Sequence, residues 1–200
     1  CFYIPADTPG LEFGTPEHKM GGNASPTGLV HLNDVVLTSE HLIGQKGQGF
    51  PIALASLDIG RLGIAAGAVG LAQAALDAAI EYSGDRVQFG QAIDQFQGVG
   101  FMLADMATAI ASARSTYLDA AQRLDHDFHY GSLAAISKLS ASDAAMKATT
   151  DAVQIFGANG YTKDYPVERY MREAKVLQIV EGTNQIQRVV ISRALSKPVG

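Results

Sequence analysis

The sequence predicts a mainly α protein, an up-down four-helix bundle preceded by a fragment of a β-domain. Three observations carry this. Short β-like runs separated by Gly- and Pro-rich stretches fill the first 45 residues and then give way. Beyond them, apolar residues recur at steps of three and four over long segments, the spacing of one helix face. The links between those segments are short, which makes consecutive helices antiparallel neighbours.

Taken in order, Cys1 to Ile4, Gly28 to Leu32 and Val35 to Leu37 read as strands, parted by "DTPG" and "GGNASPTG". A β segment this short cannot bury a sheet alone. The loop "IGQKGQGFP" leads into the first long helix, whose face is Leu62, Ala65, Val69, Ala72, Leu76 and Ala79. A second helix carries Met102, Met106, Ile110, Ala113, Tyr117, Ala121 and Leu124. A third, from about Ser132 to Phe156, presents Leu133, Ile136, Ser140, Ala144, Ala148 and Ala152. A short helix covers "YPVERYMREA", and a last one runs from Thr183 to Leu195. Many of these core positions are Ala or Gly, so the helix axes can approach closely. The domain division expected from this pattern is 1–45, the end of a β-domain, and 46–200, the helical bundle.

Composition narrows the function classes. Twenty acids against fifteen bases give a net charge of −5, which argues against a nucleic-acid surface. No apolar run approaches the ~18 residues of a membrane span, so no membrane role is expected. The single Cys1 has no internal disulfide partner, and a reducing compartment is the default. The start "CFYIPADTPG" has neither a Met nor a basic leader and reads as the middle of a strand. We expect the chain to be a piece of a longer protein.

Several short patterns could carry chemistry. "GQKGQGF" has glycines spaced as in a phosphate cradle, but no Lys-Ser or Lys-Thr pair follows, and a flexible helix entry is the better account. "DHDFHY" sets His126 and His129 among Asp125 and Asp127, yet no third ligand cluster accompanies them, and no metal is expected. "GDRVQFG" places Arg86 and Phe89 at a turn, where an Arg and an aromatic can meet a phosphate and a ring face or can simply pack. "QIFGANGY" is either a glycine helix stop or a backbone surface open to close approach. In "VLQIVEGTNQIQ", Glu181 follows an apolar run and precedes a helix. The helix dipole favours its charged form; the apolar run favours a carboxylate that accepts a proton. Locally the helix-start role is the stronger of the two.

The segments "DRVQFGQAIDQFQ", "LADMATAIASAR", "AVQIFGANGY", "VERYMREAKVLQIVEGTNQIQRVVISR" and, more weakly, "KMGGNASPTG" together resemble the acyl-CoA dehydrogenase family. They follow the family's order from residue 19 to residue 193, and the long C-terminal motif is highly specific. The resemblance implies an acyl-CoA dehydrogenase C-terminal domain behind the end of the middle β-domain. It implies FAD-dependent α,β-dehydrogenation of an acyl-CoA thioester, with Glu181 taking the α proton while the β hydride passes to the flavin. It places Asp58 and Arg61 beside the substrate and the base, and makes Gly182 the residue that leaves room for the thioester. Another branch of the family carries its base in a Leu-Asp-x-Glu-Arg pattern; here the stretch reads "LDIGR", with Gly60 at that position, which favours Glu181.

The same resemblance puts Arg86, Phe89 and Gln97, with Gln154, Ile155, Phe156, Gly157 and Ala158, where one subunit reaches its partner's flavin. Thr183, Asn184 and Gln185 fall beside the flavin, at a helix start suited to a diphosphate. Ala158 stands where the family often has glycine, and Val180 where many members have an aromatic. The implied partners are an acyl-CoA substrate, an electron-transfer flavoprotein and further copies of the chain in a homodimer or homotetramer. The implied setting is fatty acid β-oxidation, in a bacterial cytoplasm or a mitochondrial matrix. Two rival classes are an acyl-CoA oxidase and a non-catalytic helical oligomerisation module. The 200 residues alone are expected to retain FAD poorly and to be inactive, since much of the family's own-subunit flavin site lies in parts not represented here.

Overall fold

The computed structural model describes residues 1–126 and 130–196. Its elements are β1 (Leu11–Phe13), β2 (Val30–Leu32), α1 (Gly49–Asp85), β3 (Val87–Gln88), β4 (Gln91–Ala92), α2 (Gln97–Asp125), α3 (Gly131–Phe156), α4 (Val167–Leu177) and α5 (Asn184–Leu195). The chain divides into two compact units, Cys1–Leu57 and Asp58–Gly200, with the division inside α1.

In the first unit β1 and β2 pair antiparallel, Leu11 with Leu32 and Phe13 with Val30. The expected strand at Cys1–Ile4 reduces to one isolated bridge between Phe2 and Leu42, and Val35–Leu37 is not a strand. Leu11–Phe13, which sequence patterning passed over, is the partner that β2 requires. Runs of three residues have too little alternation to be located without their partner. Phe13, Val30 and Leu32 are exposed, as befits a sheet too small to cover its own apolar faces.

The second unit is the predicted bundle. Ala65, Val69, Ala72, Leu76 and Ala79 of α1 lie in one core with Met106, Ile110 and Ala113 of α2 and with Ala141, Ala145, Ala148 and Ala152 of α3. Small side chains at these contacts bring helix axes near one another. One expectation about α1 needs correction. It contains an 18-residue window of mean hydropathy 1.6, so by length and composition alone it could cross a membrane. Its leucines, isoleucines and valine supply most of that hydropathy, and a core helix of a bundle passes the same test.

On α3 the predicted face is also corrected. Ile136 is exposed, while Ala134, Ala135, Ser137, Lys138, Ala141 and Ser142 are buried. The physical reason is that α3 packs against α2, α4 and α5 together, so its buried arc is wider than one stripe. Between α1 and α2 the chain makes a β3–β4 hairpin whose turn, Phe89–Gly90, has positive φ at both residues (52° and 82°). That is the geometry a tight two-residue hairpin demands. Asp127 and His129, weighed above as metal ligands, lie outside the described residues.

Candidate active site

The turn joining α4 to α5 holds Glu181. Apolar periodicity carries α4 to Leu177, and the chain re-enters a helix at Asn184, with Thr183 as N-cap accepting a 3.3 Å bond from the Ile186 N–H. Thr183, and not Glu181, therefore answers the start of α5. Glu181 itself adopts φ +55° and Gly182 φ +84°. A left-handed glutamate costs of order 1 kcal/mol or more and persists only where surroundings enforce it.

Those surroundings are polar and buried. Gln187 of α5, fully buried, donates from Nε2 to the carbonyls of Glu181 (3.1 Å) and Gly182 (2.8 Å). Lys138 of α3, also fully buried, donates from Nζ to the Gly182 carbonyl (2.9 Å) and to Asn184 Oδ1 (2.8 Å). The Asn184 amide donates in turn to Ser142 Oγ (2.9 Å) and Asp143 Oδ1 (2.7 Å). Burial pushes the Lys138 ammonium down to about 8; Asp143 and Glu181 oppose that fall, and Arg61 adds to it.

The Glu181 carboxylate comes to rest on α1 at Gly60. A β-carbon at position 60 would stand 2.6 Å from Glu181 Cδ and 3.0 Å from Oε1, so only glycine leaves the carboxylate its place. Positions 60 and 181 thus share one volume, which gives a physical account of why a base could be carried from either. One residue on, Arg61 is buried and ion-paired with Asp58. Its buried Nε has no hydrogen-bond partner among the described residues. Asp58 and Arg61 thus flank Gly60, against which the Glu181 carboxylate rests, and Gly182 follows in the same turn.

A second group forms where α1, the hairpin and the end of α3 meet. Phe156 stacks on Tyr82 (centroids 4.0 Å), and Asn159 donates to the Tyr82 hydroxyl at 2.9 Å. Gly157, at φ +62°, ends α3. Gly160 is required by close packing, since a β-carbon there would meet the Val153 carbonyl at 2.6 Å. Arg86, Gln88, Gly157 and Ala158 line a cavity of about 240 Å³. Phe89, at the strained hairpin tip, is 94% exposed.

Ala158 is exposed and is not among the residues with positive φ, so its methyl group entails no backbone strain. Gln97 and Gln154 are exposed at the start of α2 and the end of α3, and Ile155 and Phe156, buried in the core, also line the 240 Å³ cavity. Thr183, Asn184 and Gln185 border a separate cavity of about 440 Å³ with Lys175 and Arg188, the Asn184 side chain being nearly all buried. Sequence reasoning missed Lys138, Gln187 and Tyr82. Lys138 lies on a helix face whose neighbours are small, Gln187 lies between exposed Ile186 and Arg188, and nothing local marks either as buried.

The family model described as acyl-CoA dehydrogenase, C-terminal domain, matches residues 47–196. The chain is 52% identical over 196 residues to a Mycobacterium tuberculosis protein named "Probable acyl-CoA dehydrogenase FadE25", covering 98% of this chain and 50% of that protein. It is 47% identical over 195 residues to the short-chain-specific acyl-CoA dehydrogenase of Megasphaera elsdenii, covering 98% and 51%. The solved structure of butyryl-CoA dehydrogenase from Megasphaera elsdenii superposes with a TM-score of 0.97 at 46% identity, over 98% of this chain and 51% of that one. The chain spans about half the length of the curated relatives it matches.

Proposed function

Because the chain belongs to the acyl-CoA dehydrogenase family, we propose that its protein oxidises an acyl-CoA thioester at the α,β bond, with Glu181 as the base. The observation that carries this is the Glu181 carboxylate, seated on Gly60 and held by a strained turn that buried Lys138 and Gln187 support. A solvated helix-start acid needs no such support.

In this reading Glu181 removes the α proton. The thioester carbonyl accepts a hydrogen bond from the Glu181 backbone N–H, which stabilises enolate-like charge where it develops. Gly182 leaves room for the thioester, and the Arg61–Asp58 pair flanks the base and positions the substrate. Substrate binding excludes water from the carboxylate.

The residues present fit FAD at a subunit boundary. Arg86 supplies a cation and Gly157 with Ala158 an approachable backbone around one cavity, and Phe89 adds an exposed ring at the hairpin turn. Gln97 and Gln154 add exposed amides, and Thr183 and Gln185 offer a helix start. FAD, when bound, supplies the oxidant that accepts the β hydride. We take residues 1–45 as the end of a β-domain, and the functional protein as a homodimer or homotetramer in a bacterial cytoplasm, in keeping with the bacterial relatives. An electron-transfer flavoprotein is the proposed acceptor. A solved structure titled for the electron transferring flavoprotein of Acidaminococcus fermentans includes a chain 51% identical to this one, which supports that choice.

The test is full-length, flavin-loaded protein carrying Glu181→Gln, mixed with a panel of straight, branched and aromatic acyl-CoAs. The variant should bind acyl-CoA yet bleach the flavin at least about 10²–10⁴-fold more slowly, the range that positioned acid–base catalysis supplies. Near-normal bleaching would sink the assignment. An oxidase reading has one observation behind it, a TM-score of 0.95 at 32% identity to the prolyl acyl carrier protein oxidase AnaB. Rapid stoichiometric peroxide from reduced protein and oxygen would favour it over a dehydrogenase.

A further inference from the structure

We propose that Lys138 is a positioning residue for the base: its buried ammonium and the Gln187 amide clamp the Gly182 carbonyl and so hold the turn that presents Glu181. This rests on the assignment of Glu181 as the base.

A fully buried lysine is unusual, because an ammonium loses its hydration and regains it only through well-placed acceptors. Here the acceptors are the Gly182 carbonyl and Asn184 Oδ1, both in the segment that follows Glu181. The remainder of the buried face of α3 is mostly Ala, Ser and Thr, so packing alone does not call for a long cationic chain. Asp143 of α3 and Glu181 of the turn face the ammonium as anions, and Arg61 of α1 faces it as a like charge. With Arg61 so near, the site tolerates Lys138 against repulsion as well as desolvation.

Planarity turns the clamp into a positional constraint. Each peptide is rigid, so fixing a carbonyl fixes the N–H of the next residue. Gln187 fixes the 181–182 peptide, and Lys138 with Gln187 fixes the 182–183 peptide. Two successive left-handed residues are thereby held from the core side, and the Glu181 side chain leaves that backbone toward Gly60. The opposite end of the turn is tied by the Asn184 N–H bond to the Gln178 carbonyl (3.0 Å) and by Gln178 Nε2 to Asp143 (2.7 Å). Without Lys138 the Gly182 carbonyl keeps Gln187 alone, and the turn regains freedom in the direction that moves the carboxylate.

The experiment compares full-length, flavin-loaded wild type with Lys138→Met, which keeps most of the volume, and with Lys138→Gln in case the first variant does not accumulate. Two quantities are read per bound flavin. One is the bleaching rate constant at saturating acyl-CoA, against the acyl-CoA Kd. The other is the enolate fraction of a bound β-keto thioester, followed by its own absorbance, which reports hydrogen bonding at the thioester carbonyl without turnover. The expected result is a loss of about 10²-fold in the rate constant, the cost of misplacing a reacting group by about 1 Å, with Kd unchanged and a lower enolate fraction. A wild-type rate constant and enolate fraction in either variant overturns the proposal, whatever the melting temperature does. The Glu181→Gln control separates the failures. If it bleaches normally the base assignment falls and takes this proposal with it; if it is blocked while the Lys138 variants match wild type, only the role of Lys138 falls.

Discussion

Gly60→Ala should lower the reaction rate while leaving the protein as stable as before, or more so. The added β-carbon would stand 2.6 Å from Glu181 Cδ and 3.0 Å from Oε1. Carbon atoms in good contact sit ~3.5–4.0 Å apart, so the carboxylate must retreat by about 1 Å. It is the end of a flexible chain and can yield at little energetic cost. A base displaced by that distance loses about 10²-fold in rate, or about 2.7 kcal/mol on the barrier. Position 60 lies inside α1 without positive φ, so alanine removes a glycine from a helix interior and contributes about 0.5–1 kcal/mol of stability. The two effects therefore carry opposite signs. The assay is stopped-flow flavin bleaching of the full-length protein at saturating acyl-CoA, paired with a thermal melt. A flavin-loaded variant with the wild-type rate constant would refute the placement of the base on Gly60. A loss of stability of more than about 1 kcal/mol would show that backbone, and not the carboxylate, gave way.

Three further outcomes follow from the same geometry. Lys138 titrates at about 8 folded and near 10.5 unfolded, so the unfolded chain binds more protons between these values. Stability relative to Lys138→Met should rise with pH across that window, read by urea titrations at pH 7 and pH 9.5, and a flat difference would contradict the burial of the ammonium. Gly160→Ala drives a β-carbon to within 2.6 Å of the Val153 carbonyl, a backbone group, and should cost about 1–3 kcal/mol in urea unfolding. Phe89→Ala removes a ring that is 94% exposed; it should leave the melting temperature of flavin-free protein within about 2 °C and weaken FAD retention, measured by flavin content after dilution.

The helices were legible because their evidence is local. Apolar steps predicted α1 and α2 with their buried faces, and Thr183 predicted the start of α5 to within a residue. The strands were less so. Val30–Leu32 was found within its predicted run, while Leu11–Phe13 is defined only by pairing with it. The Glu181 motif, read against its family, named Asp58, Arg61 and Gly182, and the structure sets Asp58 and Arg61 on either side of Gly60, where the Glu181 carboxylate rests.

By itself the sequence determined the family, the helical bundle and the acid most worth testing, since periodicity, caps and motifs are written in neighbouring residues. Only the tertiary structure decided that Gly60 leaves the volume the carboxylate fills, and that Lys138 and Gln187 grip the turn behind it. It also buried Asn184, Ile155 and Phe156, leaving Gln154, Gly157 and Ala158 as the exposed part of their stretch. The physical reason is common to all of these. Whether a polar side chain is buried, and whether a glycine is a gap or a seat, depends on what distant segments bring against it, and α3 meets α2, α4 and α5 at once.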